Sequence, residues 1–201
     1  MTRDFYSPPM RRLQDERDGR RVADALEKHR LHQSFWDDER EMIAAAPFFF
    51  IATTDGSYTD CSMRSGDPGF VRLIGENQLE WTEFDGNSMY RTLGNISANP
   101  HVGLLFVSFD GKSRRIRISG RAEILSRPGP GRVGETDMAV RVTCDEIYPN
   151  CPRYLPDIAG AAPSPNVPRD GHRPPPPEWK TRDYIRDILP EGDPFAGDGK
   201  G

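Results

Sequence analysis

Apolar residues follow two different rhythms along this chain. Residues 10–33, MRRLQDERDGRRVADALEKHRLHQ, are polar, with apolar positions at Leu13, Val22, Ala25 and Leu26. Val22, Ala25, Leu26 and His29 keep the i, i+3, i+4, i+7 spacing of one helix face, which predicts a helix that packs on another element. A second helix is expected over roughly 35–46, started at Ser34, favoured by Asp37 and Asp38 in its first turn and closed by Pro47. Beyond Pro47 the rhythm changes to runs of aromatic and β-branched residues bounded by turn signals. FFFIATTD (48–55) predicts a strand ending at Asp55-Gly56, and YTDCSM reads as its return. RSGDPG (64–69) interrupts that return with turn chemistry and FVRLI (70–74) resumes it; Gly75-Glu76-Asn77 then turns into QLEWTEF.

The segment DGNSMYRTLGNISANP (85–100) predicts a short helix, stopped at Asn99-Pro100 and followed by a buried strand, HVGLLFVSFD. A turn at Gly111-Lys112 leads to RRIRISGRAEIL, in which Arg115 and Arg117 alternate with Ile116 and Ile118. The pattern weakens past Arg127, where residues 139–155 read as one more strand and then a turn or short helix. Strands at this spacing, joined mostly by turns, predict a mainly β, α+β fold built on a small antiparallel barrel. Helical spacing returns at 178–189 with Trp179, Tyr184, Ile185 and Ile188 on one side.

Composition adds a division of the chain. Of 201 residues, 35% are hydrophobic and 29% charged, so part of the chain is expected to lie outside a packed core. Prolines and glycines crowd 126–134 and 156–177, which predicts loops there, since proline removes backbone donors and restricts its neighbours. The expected organisation is a helical extension (1–33), a barrel domain (34–155), a proline-rich arm (156–177) and a C-terminal helix and tail (178–201). A proline-rich ligand for a partner domain is the alternative role of that arm. The net charge of −4 and pI near 5.6 argue against general nucleic-acid binding. No apolar run reaches the length of a membrane span, and MTRDFYSPPM lacks the apolar stretch of a signal peptide. Three cysteines without zinc-ligand spacing fit reduced thiols, and a cytoplasmic location is expected. His29 and His32 lie three apart on a polar helix, where surface histidines are the ordinary reading, and no metal site is expected.

The chemistry concentrates in the short helix. Its first turn carries Asn87, Ser88, Tyr90, Arg91 and Thr92, near backbone N–H groups that attract phosphate. Arg91 can engage phosphate oxygens bidentately, and Thr92 can donate one bond more. On this segment alone, the alternative is that Asn87 or Ser88 caps the helix while Arg91 lies on a solvated face. Two other places bear on the choice. Arg64 and Ser65 stand at a strand end beside a loop with Gly66 and Gly69, where small residues let a ligand approach the backbone. Arg115 and Arg117 form an all-basic row in an acidic protein.

The order FFFIATTD…DCSMRSGDPGFVRLI…LEWTEFDGNSMYRTLGNISANPHVGLLFVSF…RRIRISGRAEIL resembles the pyridoxamine 5′-phosphate oxidase-related proteins of the FMN-binding split-barrel superfamily. The likeness covers about residues 40–125, and YPNCPRY (148–154) is also similar to a stretch found in that branch. It implies a six-stranded antiparallel split barrel with Greek-key topology and flanking helices. It further implies a homodimer with flavin mononucleotide (FMN) across the subunit interface. By position, the resemblance assigns Arg64 and Ser65 to the flavin phosphate and ribityl chain, and Phe70 and Val71 to the ring. Trp81 and Thr82 would line the cofactor. Arg91 and Thr92, beside Asn87, would hold the phosphate, and Arg115, on the same face as Arg117, would reach the flavin from the partner subunit. The chain departs from the pattern of true pyridoxamine phosphate oxidases, which carry Arg-Lys where Arg91-Thr92 stands here. They also have a C-terminal Trp and Arg segment that does not map onto the proline-rich region.

The expected function is therefore an FMN-dependent oxidoreductase acting on a small molecule, with catalytic residues unassigned. The alternatives are a redox sensor or carrier that binds flavin, deazaflavin or haem without turnover, and an interaction protein that keeps the barrel and recruits a partner through the proline tract.

Overall fold

The computed structural model describes residues 4–84, 89–109, 114–127, 135–151, 153–155, 175 and 178–189. The chain divides into two units, His32–Pro152, and Met1–Leu31 with Arg153–Gly201. In the second of these, the helix expected over 10–33 is two helices, α1 (Pro8–Glu16) and α2 (Arg20–Arg30). The break falls at Asp18, which takes a left-handed φ of 51°, and at Gly19, whose N–H bonds back to the Gln14 carbonyl at 2.7 Å. The C-terminal helical segment is a 3₁₀ turn, Glu178–Thr181, followed by α5 (Asp183–Arg186). Ile185 and Leu189 are its buried apolar residues, and Tyr184 lies against His29 of α2 with ring centroids 4.5 Å apart. The turn predicted at Gly111-Lys112 and nearly all of the proline-rich tract lie outside the described residues.

In the unit His32–Pro152, α3 (Asp37–Ala45) starts later than the sequence suggested. Its first residue follows Trp36, whose backbone N–H donates to Glu39 Oε2 at 3.0 Å, so Glu39 rather than Ser34 caps it. Among the described residues seven strands follow: β1 (Phe48–Thr54), β2 (Thr59–Ser65), β3 (Val71–Leu73), β4 (Gln78–Phe84), β5 (His101–Val107), β6 (Arg115–Ser126) and β7 (Glu135–Pro149). One helix, α4 (Arg91–Ala98), separates β4 from β5. All neighbouring pairs are antiparallel, in the order β2-β1-β5-β6-β7-β4-β3. The result is an α+β unit with a curled antiparallel sheet, a half-barrel open between its edge strands β2 and β3.

The strand count is seven rather than six because residues 58–74 do not form one interrupted strand. The Phe70 N–H bonds to the Asp67 carbonyl at 2.9 Å, and Gly69 adopts φ 89°, redirecting the chain. β2 therefore pairs with β1, and β3 pairs with β4 at the opposite edge. The region where the sequence pattern faded holds the longest strand, β7. Ser119 faces Glu146 whereas Gly120 faces Cys144, leaving Asp145 as an extra residue. From Val140 onward the buried positions of β7 consequently run Val140, Val142, Cys144 and then Ile147, a change of parity that, with Ala139 also buried, hides the strand from a strict two-residue rhythm.

The buried cluster draws on α3, α4 and strands of the sheet. Phe49 of β1 lies 5.0 Å from Phe106 of β5, 4.9 Å from Trp81 of β4 and 5.9 Å from Phe70, centroid to centroid. It joins the two halves of the curl. Leu93 and Ile96 of α4 enter the same core, and Asn95 Nδ2 donates to Thr53 Oγ1 at 3.0 Å. The start of α4 is thereby fixed against the sheet.

Candidate functional site

A cavity of about 480 Å³ opens between edge strand β2, the end of β4, the start of α4 and the start of β7. Alternation along β2 sends Asp60, Ser62 and Arg64 to the less exposed side of that strand, and all three line the cavity. From β4 come Trp81, Thr82, Glu83 and Phe84. Tyr90, Arg91, Thr92 and Leu93 arrive from α4, and Thr136 and Met138 from β7.

A continuous set of hydrogen bonds crosses the floor. Thr92 Oγ1, buried, lies 3.1 Å from Ser62 Oγ, and Ser62 Oγ accepts from Arg64 Nη1 at 3.1 Å. Arg64 Nε donates to Glu83 Oε1 at 3.1 Å, and Trp81 Nε1 donates to the same oxygen at 2.7 Å. Arg91 stands apart from this network. Its Nε reaches Asp60 Oδ1 at a long 3.4 Å, and its side chain is 55% exposed, so most of its donor surface faces outward.

Helix α4 adds backbone donors. Its first internal bond runs from Gly94 N–H to Tyr90 O at 2.7 Å, which leaves the N–H groups of Arg91, Thr92 and Leu93 ahead of it. Tyr90 precedes the helix in the left-handed region, φ 48°, a conformation that costs a side-chain-bearing residue roughly 1–3 kcal/mol and concentrates at functional sites. Phe84, Met89 and Tyr90, all exposed, place apolar surface on the cavity wall.

Seven of the eleven residues singled out in the sequence line this one cavity: Arg64, Ser65, Phe70, Trp81, Thr82, Arg91 and Thr92. Val71 does not; it is a core residue, 3% exposed. Asn87 lies outside the described residues. Arg115 and Arg117 are not in the wall, although they share a face of β6 opposite Ile116 and Ile118. Arg117 packs over the Tyr148 ring at 5.2 Å and bonds Asn150 Oδ1. Burial holds the Arg115 guanidinium below its ordinary pKa, and among the described residues its buried Nε has no hydrogen-bond partner. Thr82 Oγ1 is taken by Arg127.

Sequence reading did not single out Asp60, Ser62 and Glu83. Their signals were present: a polar residue at every second position of β2, and a glutamate two residues after Trp81 on the buried face of β4. Cys144, the buried thiol, is remote from this chemistry. Burial, with Asp145 and Glu39 nearby, pushes its pKa up to about 12. His32 is likewise engaged elsewhere, 2.8 Å from Glu39 Oε2 and stacked on Trp36.

The donor set fits a ligand with a phosphate and a planar ring. Arg91, Thr92 and the helix N–H groups suit the anion, Phe70, Trp81 and Met138 supply apolar wall, and the volume lies in the range of small-molecule sites. Two arginines face two carboxylates, so the phosphate end is set by local geometry rather than by a large net charge.

Solved structures with similar folds include HupZ of Group A Streptococcus, 18% identical, with 57% of this chain and 93% of that chain covered and a TM-score of 0.45. HutZ, the haem storage protein of Vibrio cholerae, is 12% identical over 56% of this chain and 92% of that one, TM-score 0.42. An FMN-binding protein of Syntrophomonas wolfei is 13% identical over 70% and 96%, TM-score 0.39. Among curated proteins no sequence match is found. The family model described as pyridoxamine 5′-phosphate oxidase matches residues 35–142, just over half of the chain and nearly all of the strands that build the cavity. The chain belongs to the pyridoxamine 5′-phosphate oxidase family.

Proposed function

We propose that the cavity holds FMN and that the protein serves the oxidation or reduction of a small molecule. The observation that carries this reading is convergence. Residues 64, 65, 70, 81, 82, 91 and 92 come from β2, the loop after it, β4 and α4, and meet around one cavity. Arg91, Thr92 and the first N–H groups of α4 bind the phosphate, and Ser62 fixes the Thr92 hydroxyl. Phe70 and Trp81 bound the ring and exclude water from one side of it. When bound, the flavin ring supplies the redox chemistry, and the protein's task is orientation and tuning.

The same reading gives a homodimer. Arg115, whose buried Nε has no partner among the described residues and which lies outside the lining of its own cavity, is supplied to the cofactor of a second copy. FMN is preferred to haem because the wall offers a phosphate-type anchor, Arg91 and Thr92 at the start of α4.

The test is the absorption spectrum of the purified protein before and after addition of FMN. Bound flavin, weakened roughly ten- to a hundredfold by Arg91→Ala, is the expected outcome. A protein that stays colourless and does not take up FMN would overturn the proposal. Turnover is then separated from carriage by whether the reduced flavin is reoxidised by an added acceptor at a useful rate.

A further inference from the structure

Glu83 is a buried acid in a cavity read above as a phosphate site. It is 7% exposed and lines the wall between Trp81 and the mouth. Its two donors, Arg64 Nε and Trp81 Nε1, converge on a single oxygen, Oε1. Among the described residues Oε2 has no partner. Oε2 keeps solvent access at the cavity that Glu83 lines, where a ligand donor can reach it in place of water. The pairing also fixes Arg64. Its Nε is committed to Glu83 and its Nη1 to Ser62, so Arg64 orients these two side chains and leaves the anion to Arg91 and Thr92.

We infer that Glu83 is a ligand-binding residue whose Oε2 accepts a hydrogen bond from an N–H or O–H of the molecule in the cavity. The site then selects a ligand that is anionic at one end and offers a donor at the other. FMN meets both requirements, through its phosphate and through either the ring imide N3–H or a ribityl hydroxyl. Iron porphyrin meets only the first, through its peripheral carboxylates, because its metal-bound nitrogens carry no hydrogen and it offers Glu83 no donor. The inference rests on the flavin reading and adds to it the group that distinguishes this cofactor from haem.

The experiment compares FMN with N3-methyl-FMN and with FMN analogues lacking single ribityl hydroxyls, by fluorescence titration of the full-length protein. The wild type should bind one analogue about tenfold or more weakly than FMN, the loss expected for a hydrogen bond to a charged acceptor. The N3-methyl arm identifies the ring and the deoxy arms identify the chain. In Glu83→Gln, where the acceptor is neutral and of the same size, that penalty should shrink several-fold, while a purely steric loss would persist unchanged. Equal binding of FMN and every analogue by the wild type overturns the role of Glu83 while leaving the flavin reading intact. So does a penalty of the same size in Glu83→Gln. Absence of FMN binding by the wild type removes both. The wild-type arms need no variant, so poor folding of Glu83→Gln cannot protect the inference.

Discussion

The sheet unit and the helix pair α1–α2 of the other unit are held together by different physics. In residues 32–152, Phe49, Leu79, Trp81, Phe106, Val140 and Ile147 are at most 1% exposed, and aromatic rings meet across the curl. In the other unit, α1 and α2 contain no buried residue at all. They are tied by charge instead: Arg11 bridges Asp24 and Glu27 while lying over the Tyr6 ring at 4.5 Å, and Arg20 grips Asp15 through two nitrogens. Burial of apolar surface is strong and insensitive to salt, whereas exposed ion pairs are weak and screened. A site that must hold side chains to a fraction of an ångström belongs on the first kind of framework, and the cavity is there.

The contrast can be broken most directly at its strongest point. Phe106→Ala removes a ring with no exposure that stacks on Phe49, and should lower the stability of the sheet unit by about 3–5 kcal/mol in urea unfolding. A shift of under 1 kcal/mol would show that the curl does not depend on this core. Gly120→Ala comes next. A Cβ there would lie 2.4 Å from the Thr143 carbonyl oxygen, so the backbone at the β6–β7 bulge must move, at roughly 1–3 kcal/mol. A fully stable variant would contradict the close approach.

Cys144 sharpens the comparison through pH. Its folded pKa, about 12, is raised above the ordinary thiol value of 9.0, so the unfolded chain loses this proton first. Its contribution is constant below pH 9 and declines as pH rises from 9 towards 12. Native protein should accordingly expose Cys61 and Cys151, but not Cys144, to a thiol reagent at pH 8. Three fast-reacting thiols would refute the burial. The smallest effect belongs to the helical pair. Arg11→Ala should cost at most about 1 kcal/mol, seen as faster amide exchange in α1 and α2, and the difference should fade in 1 M salt.

The strands were legible in sequence because β-branched and aromatic runs ended at recognisable turns, as in Phe48–Thr54 and Gln78–Phe84. Two features escaped for definite reasons. The bulge at Asp145 shifted the parity of β7, and the turn at 67–70 sent what looked like one strand to both edges of the sheet. The cavity was legible in part. Arg64, Arg91 and Thr92 stood out because basic and hydroxyl groups near a helix start have an obvious chemistry. Glu83 did not, because its meaning depends on Arg64, nineteen positions away, and on Trp81 donating to the same oxygen.

Sequence by itself determined the period-two alternation, the turns at Asp55-Gly56 and Gly75-Glu76-Asn77, the α4 stop at Asn99-Pro100 and the guanidinium and hydroxyl groups at its start. These are local properties, set by side-chain sterics and hydrogen bonding within a few residues. Tertiary structure alone decided that β2 and β3 lie at opposite edges, that Arg64 is paired rather than free for an anion, and that Val71 and Arg115 leave their own cavity while Ser62 and Glu83 join it. Those outcomes depend on which distant groups the curl of the sheet brings within hydrogen-bonding distance.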